Sequence, residues 1–375
     1  MIIVVWVSLF LVFYTYAGYP ALIWVLSRFR PPPFTGPGAH PPRWPSVCIV
    51  VAVHNEERRI ADKIRNMREL DYPADRLRLV IVSDGSTDAT DGIVAASGAA
   101  RLLSYQPRRG KAYAINRAVQ QCDGEVIVFS DARQSLPGDA LKHLVAALDQ
   151  PGVGVASGEL VHIDARTHQA ARIGAYWRYE KLIRKAESRW WSTVGATGAL
   201  YAIRRRDFRP IPDDTILDDF EIPMAIVRGG QRAVLESRAV MFDELQPDAS
   251  GEGRRKLRTL SGNYQTFARN PWLFSPLHNP VWFQFVSHKA MRLVVPYALL
   301  CLFIASWFGP APWYPAFGVL QACVYAYGIA TLAHRPWREN RIGSLVAVVL
   351  ELNIAAVRAL WVYLSGRASP RWDKT

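Results

Sequence analysis

The sequence predicts an α/β protein: a mostly parallel sheet flanked by helices, with one transmembrane helix before it and two or three after it. Three observations point there. Between residues 46 and 270, short unbroken apolar runs alternate with amphipathic helical patterns. Three of those runs end in acidic clusters. Long apolar stretches, nearly free of charge, bracket the region on both sides. Unbroken apolar runs are the habit of strands buried on both faces, as in parallel sheets.

Residues 2–26 are almost wholly apolar and carry no charge before Arg28. A bilayer core of ~30 Å needs about 20 such residues as helix. A cleaved signal peptide would have a basic start and a shorter apolar core, and neither is present. Residues 1–27 read as a membrane span. Arg28, Arg30 and Arg43 follow it. The positive-inside rule then places the N-terminus outside and the next domain in the cytoplasm, on a plasma (inner) membrane. Residues 28–45, rich in Pro from Pro31 to Pro45, read as a stiff linker.

The central domain, 46–270, is built of strands that deliver polar groups to one rim. Val47 to Val53 leads into His54-Asn55-Glu56-Glu57. Leu79 to Val82 leads into Ser83-Asp84-Gly85-Ser86-Thr87-Asp88, and Val126 to Phe129 into Ser130-Asp131-Ala132. Between them, Ile60, Ile64 and Met67 recur at helical spacing, and Lys111 to Val119 forms a second helix with Ala114, Ile115, Ala118 and Val119 on one face. Such alternation implies right-handed βαβ units, whose ligands sit at the carboxyl ends of the strands. Three acidic clusters there suggest a nucleotide and a metal, because buried carboxylates are costly unless paired or coordinated. Beyond Val153 the pattern is less regular, with an aromatic-rich helix near Tyr176 to Lys185.

Residues 271–290 suggest an interfacial amphipathic helix around Val281 to Lys289. The C-terminal membrane region, 291–364, holds apolar spans at about 291–309 and 312–332, joined by Gly309-Pro310-Ala311. Arg335, Arg338 and Arg341 mark a cytoplasmic loop. The last segment, 343–364, contains Glu351, Asn353 and Arg358, so it either spans against other helices or lies at the interface. The tail, 365–375, carries Arg367, Arg371 and Lys374; a spanning last helix would leave these outside, against the charge rule.

The net charge of +13 lacks any nucleic-acid-binding signature beside it, so it reads as membrane-facing charge plus a phosphate site, with no nucleic-acid partner. Cys48, Cys122, Cys301 and Cys323 are scattered. They suggest core packing rather than a disulfide framework or zinc site.

Several residues stand out by their own chemistry. Asp84 heads a strand-end turn in which Gly85 permits a tight backbone close to a ligand, while Asp88 reads as a helix cap. Arg108-Arg109-Gly110-Lys111 puts cations at a helix start, where the macrodipole calls for a compensating anion; a diphosphate would serve, and a solvated basic turn is the alternative. Asp218-Asp219, with Glu221, opens a helix through Ile222, Ala225 and Ile226.

Asn55-Glu56-Glu57, Asp84-Gly85-Ser86-Thr87-Asp88, Asp131 and Leu217-Asp218-Asp219, in this order, resemble the family 2 glycosyltransferases with their GT-A nucleotide-sugar domain. The flanking spans resemble those of the membrane-bound synthases of bacterial exopolysaccharide, cellulose, poly-N-acetylglucosamine and hyaluronan. The resemblance implies a UDP-sugar donor held by Glu56, Asp84, Lys111, Asp131, Arg258 and Arg255. It implies Mg or Mn on Asp131, and Asp219 beside Asp218 as the catalytic base of an inverting transfer. Gly198 and Tyr201 fall on the family's acceptor loop. The acceptor would be a glycan or lipid-linked hydroxyl among membrane lipids, in exopolysaccharide or cell-surface glycan synthesis, with export subunits as further partners. Two departures stand out. Arg133 replaces the second acid of Asp-x-Asp, which bears on the metal. Arg255 and Thr259 replace the Gln and Trp of Gln-x-x-Arg-Trp, leaving Arg258. The second departure favours a single addition to a lipid over processive synthesis. A nucleotide-dependent oxidoreductase would need Gly-x-Gly-x-x-Gly where His54-Asn55-Glu56-Glu57 stands.

Overall fold

The computed structural model describes residues 1–31, 43–164, 175–244, 249–334, 337 and 340–371. Most of the Pro-rich linker, Arg335, Arg338 and Lys374 lie outside the described residues. The chain begins with helix α1 (Ile2–Arg28), which contains a π turn at Tyr14–Gly18, just before Pro20. The central domain then runs β1 (Val47–Val53), α2 (Ile60–Arg68), β2 (Leu77–Asp84), α3 (Thr90–Ser97), β3 (Arg101–Tyr105), α4 (Lys111–Gln120), β4 (Val126–Asp131) and α5 (Ala140–Leu148). It continues with β5 (Val153–Ile163), α6 (Ala175–Trp190), β6 (Leu200–Arg204), α7 (Asp218–Arg228), β7 (Arg232–Glu244) and α8 (Ala249–Arg269). Three helices follow: α9 (Trp282–Ser306, with a π turn at Phe285–Ala290), α10 (Trp313–Ala333) and α11 (Arg341–Leu364).

The seven strands form one sheet in the order β3-β2-β1-β4-β6-β5-β7. The first four are parallel; β6 runs antiparallel between β4 and β5. The sheet is thus mixed, and the antiparallel insertion accounts for the irregular pattern beyond Val153. β1 shows why its run is apolar throughout. Val47, Ile49, Val51 and Val53 face a core layer with Ile60, Ile64 and Met67 of α2 and Leu141 and Leu144 of α5. Cys48 and Val50 face the opposite layer, with Ala114, Ile115 and Ala118 of α4 and Ile222 and Ile226 of α7. Both faces are covered, so alternation is lost from the sequence. Register pairs Val53 with Ser83, Ala52 with Asp131, and Asp84 with Tyr105, so the acid-bearing ends share one rim.

Two expectations are corrected here. Cys48 and Cys122 are joined by a disulfide, Cα atoms 5.8 Å apart, as well as being buried in the core. Their separation of 74 residues gives no local signal for the pairing. The interfacial helix expected at Val281 to Lys289 is not a separate element: nothing breaks the helix before Met291, and the segment forms the first turns of α9.

Among the described residues, α1, α9, α10 and α11 are each long and apolar enough to cross a membrane. α11 lies against α8: Lys256 Nζ pairs with Glu351 at 3.8 Å, and Tyr264 stacks on Tyr363 with ring centroids 6.4 Å apart. The tail then returns to the central domain. Ala368 packs on its core, and Pro370 lies against Gly110 at the start of α4.

Candidate active site

The first two loops lock together. Asn55 adopts a left-handed backbone, φ 57°. Its Oδ1 accepts from the amides of Thr87 (2.7 Å) and Asp88 (3.3 Å), and its own amide donates to Ser86 Oγ at 3.0 Å. Asp88, expected as the helix cap, accepts from the Thr90 amide at 3.0 Å, but the N-cap position of α3 is Ala89. Glu56 donates its amide to Thr90 Oγ1 at 2.8 Å and pairs with Arg59 at 3.4 Å.

Asp84 is fully buried. Its carboxylate accepts from the Arg109 amide (2.7 Å), the Gly110 amide (2.9 Å) and Tyr105 Oη (2.9 Å). Arg108 Nε stands 3.6 Å away. The anion that the α4 N-terminus calls for is therefore Asp84 itself. Gly85, at φ 66°, is required by the close approach of the 108 backbone: an added Cβ would fall 2.7 Å from the Arg108 amide nitrogen.

Lys111 bridges the third strand end and α7. Its Nζ lies 3.0 Å from Asp131 Oδ1 and 3.3 Å from Asp218 Oδ2. Burial alone would lower its pKa, but Asp131, Asp218 and Asp219 more than reverse this and hold it cationic. Arg133, in place of the second acid of Asp-x-Asp, pairs with buried Asp243 at 2.8 Å.

Asp219 has the most distinctive electrostatics. Burial and the neighbouring Asp218 push its pKa up to about 6, while Lys111, Lys289 and Arg258 pull the other way. A carboxylate tuned toward neutrality suits proton abstraction. Gly198 makes room for it: a Cβ there would come within 2.6 Å of Asp219 Oδ2. The Asp219 carbonyl accepts from the Ala196 amide at 2.8 Å, so the 195–198 loop and the start of α7 are held as one unit. Arg258 reaches over from α8, its Nη2 donating to the Ile216 carbonyl at 3.0 Å. Arg255 lies one turn earlier on α8 and is half-buried.

Tyr201 departs from its expected place on the acceptor loop. β6 turns it into the core, fully buried and stacked on Phe129 with ring centroids 4.6 Å apart. It lies beneath Asp131, Asp218 and Asp219, whose charges add to burial in raising its pKa.

Lys63 was missed by the sequence reading. It is 3% exposed, and its Nζ donates to Ser130 Oγ and the Gln134 carbonyl, both at 2.8 Å, bracing the loop that presents Asp131. Burial lowers its pKa to about 7, against the pull of Asp131. The signal was present: Ile60, Lys63, Ile64 and Met67 form one helical stripe, with a cation in the middle of it.

Among the described residues, no three His, Cys, Asp or Glu side chains converge as a metal cage. Asp131 keeps 40% of its side chain exposed. Mg²⁺ commonly takes one or two carboxylates plus substrate phosphates, so Asp131 fits an ion carried in on a diphosphate.

Residues 48–211 match the family model for Glycosyl transferase family 2, and the chain carries a domain of that family. Over 135 residues, 33% of this chain and 27% of the relative, it is 34% identical to the beta-monoglucosyldiacylglycerol synthase of Synechocystis sp.. Over 235 residues, 60% of this chain and 56% of the relative, it is 20% identical to the poly-beta-1,6-N-acetyl-D-glucosamine synthase of Staphylococcus epidermidis. The chain thus spans less than two thirds of the length of these relatives. The fold resembles that of mannosyltransferase PcManGT from Pyrobaculum calidifontis, solved with GDP-Man and Mn²⁺. That likeness has a TM-score of 0.69 at 24% identity and covers 96% of this chain and 99% of that one.

Proposed function

We propose that this chain is an inverting glycosyltransferase that moves one sugar from a UDP-sugar to a hydroxyl on a membrane lipid, with its catalytic domain on the cytoplasmic side of the inner membrane. The observation that carries the reading is Asp219. Its raised pKa, near 6, sits beside the Lys111 bridge between Asp131 and Asp218 at the strand-end rim. Asp219 takes the acceptor hydroxyl's proton as that oxygen attacks the anomeric carbon. The bond from that carbon to the diphosphate breaks, its electron pair leaves with UDP, and a single displacement inverts the centre. Asp84 acts by holding the 108–110 backbone against which the nucleotide lies, with Glu56 on the adjoining turn. Lys111 and Arg258 face the diphosphate, with Arg255 behind them on α8. Gly198 keeps the acceptor side open next to Asp219. Mg²⁺ or Mn²⁺ held by Asp131 would supply charge neutralisation for the leaving diphosphate.

Arg255 and Thr259, where a processive synthase would carry Gln and Trp, favour single addition over chain growth. UDP release from a panel of UDP-sugars, with Mn²⁺ or EDTA, followed by product sizing, tests the proposal. The expected result is UDP release that EDTA suppresses and a product bearing one sugar. A long polymer would instead support the exopolysaccharide reading. No UDP release from any donor would overturn the assignment.

A further inference from the structure

We infer that Arg184 and Lys289 form an anion-binding subsite on the membrane side of Asp219, and that its occupant is the phosphate of a membrane lipid acceptor. This deepens the transferase proposal and rests on it for the role of Asp219.

The subsite is built where three elements meet. Glu180, Arg184 and Glu187 recur at spacings of four and three, so they share one face of α6. That face packs on α1: Tyr19 Oη donates to Glu187 at 2.6 Å, and Tyr179 Oη to the Tyr16 carbonyl at 3.0 Å. The π turn of α9 closes the seam from the other side. His288, 1% exposed, reaches Glu187 through Nδ1 at 2.8 Å and Glu180 through Nε2 at 3.3 Å. Lys289 follows His288 directly.

The acids of this seam are engaged with one another, and the remaining carboxylate whose charge reaches both cations is Asp219. Glu187 is shared by Tyr19 and His288, and Glu180 by His288 and Arg292. Glu159 is taken by Lys181 (3.2 Å) and Lys185 (2.9 Å). Among the described residues, no carboxylate lies within 4.0 Å of Arg184 or Lys289. Arg184 has one polar contact, Nη2 to Ser157 Oγ at 3.5 Å. That hydroxyl accepts from the Thr197 amide at 2.8 Å, and the next residue, Gly198, abuts the Asp219 carboxylate. Both cations feel the charge of Asp219.

Arg184 and Lys289 are half-buried and feel each other's charge, and cations withdrawn from water with no carboxylate at salt-bridge distance are costly, so an anion bound between them would relieve both. The donor diphosphate is the less suitable occupant, because the loops after β1, β2 and β4 that would hold it lie apart in the fold from the α1–α6–α9 seam. The elements that frame this subsite, α1 and α9, are two of the helices apolar enough to cross a membrane. An anion approaching along them is a lipid headgroup.

The test uses the full chain in neutral detergent with a fluorescent phosphate-monoester diacyl lipid and the matching diacylglycerol. The wild type is expected to bind the phosphate lipid at least ~10-fold more tightly, the scale of one charge-assisted hydrogen bond. Arg184→Gln and Lys289→Gln should each remove that preference, Lys289→Arg should keep it, and UDP affinity should be unchanged in all three. In lipid-free protein, Lys289→Met should raise the unfolding midpoint, a readout independent of binding. Equal binding of the uncharged lipid, or an unaltered preference in both Gln variants, would overturn the proposal. So would a parallel loss of UDP affinity, which would assign the subsite to the donor, or inorganic phosphate binding as tightly as the lipid. Lipid selectivity without UDP release from any donor would sink the transferase reading while leaving the subsite standing.

Discussion

Asp219, half-buried, and Lys63, fully buried, are two charges used in opposite ways. Asp219 is held near pKa 6 beside Asp218, so protonation as pH falls through 6 should extinguish the base. The expected kcat profile falls on its acid limb with a midpoint near 6. Asp219→Asn should lose about 10²- to 10⁴-fold in kcat at pH 7.5, the usual scale for a general base, and keep UDP affinity. An Asp219→Asn enzyme of near-normal kcat would assign the proton to another group. Lys63 is costly to charge in the fold, with a folded pKa near 7 against an ordinary value of 10.5. Between those values the unfolded chain binds more protons than the folded one, so stability rises with pH across that window. Thermal unfolding from pH 7 to 10 should show that rise in the wild type. Lys63→Met should flatten it.

At the scale of elements, the site depends on loops that touch each other. The amides of Arg109 and Gly110 are held by Asp84, and the β2 loop passes so close to Arg108 that only Gly fits at position 85. Gly85→Ala combines a left-handed backbone with a backbone clash, and should cost about 1–2 kcal/mol for the conformation alone. The expected readout is a weakened UDP affinity, since the loop rather than the base moves. Gly198→Ala acts on the other side of the site. Its methyl group would displace the Asp219 carboxylate, so kcat should fall by about 10-fold or more with UDP affinity kept, as small misplacements of a reacting group do. Gly198→Ala with full kcat would show that the 195–198 loop yields without moving Asp219.

For the whole molecule, the tail sets the topology. Pro370 rests on Gly110, so residues 365–371 are expected on the same side of a membrane as the catalytic domain, even though α11 is apolar enough to cross one. This places Arg367 and Arg371 with the catalytic domain, as charge alone would have them. With Cys301 and Cys323 replaced by Ala, single cysteines at 371 and at 206 should label from one side and a cysteine at 2 from the other. Labelling of 371 together with 2 would place the tail on the opposite side. Deleting the chain from residue 367 should raise hydrogen exchange in 106–112, because Ala368 and Pro370 no longer cover that loop.

The sequence by itself determined the strand-rich α/β domain, the shared rim of Glu56, Asp84 and Asp131, the acidic start of α7 and the apolar helices. Each of these is written in local periodicity or in contiguous residues. Lys63 was legible in principle, as a cation on an apolar stripe. Other features had no local trace. The antiparallel β6 that sinks Tyr201, the Cys48–Cys122 link, the internal use of Asp84 and the Arg133–Asp243 pair each join segments far apart in the chain. Only tertiary packing decides which charges find partners, because a buried group's energy depends on neighbours that its own stretch of sequence does not contain. Arg184 and Lys289 illustrate this: on paper they are two basic residues among 45, and only the meeting of α1, α6 and α9 brings both within reach of the Asp219 charge.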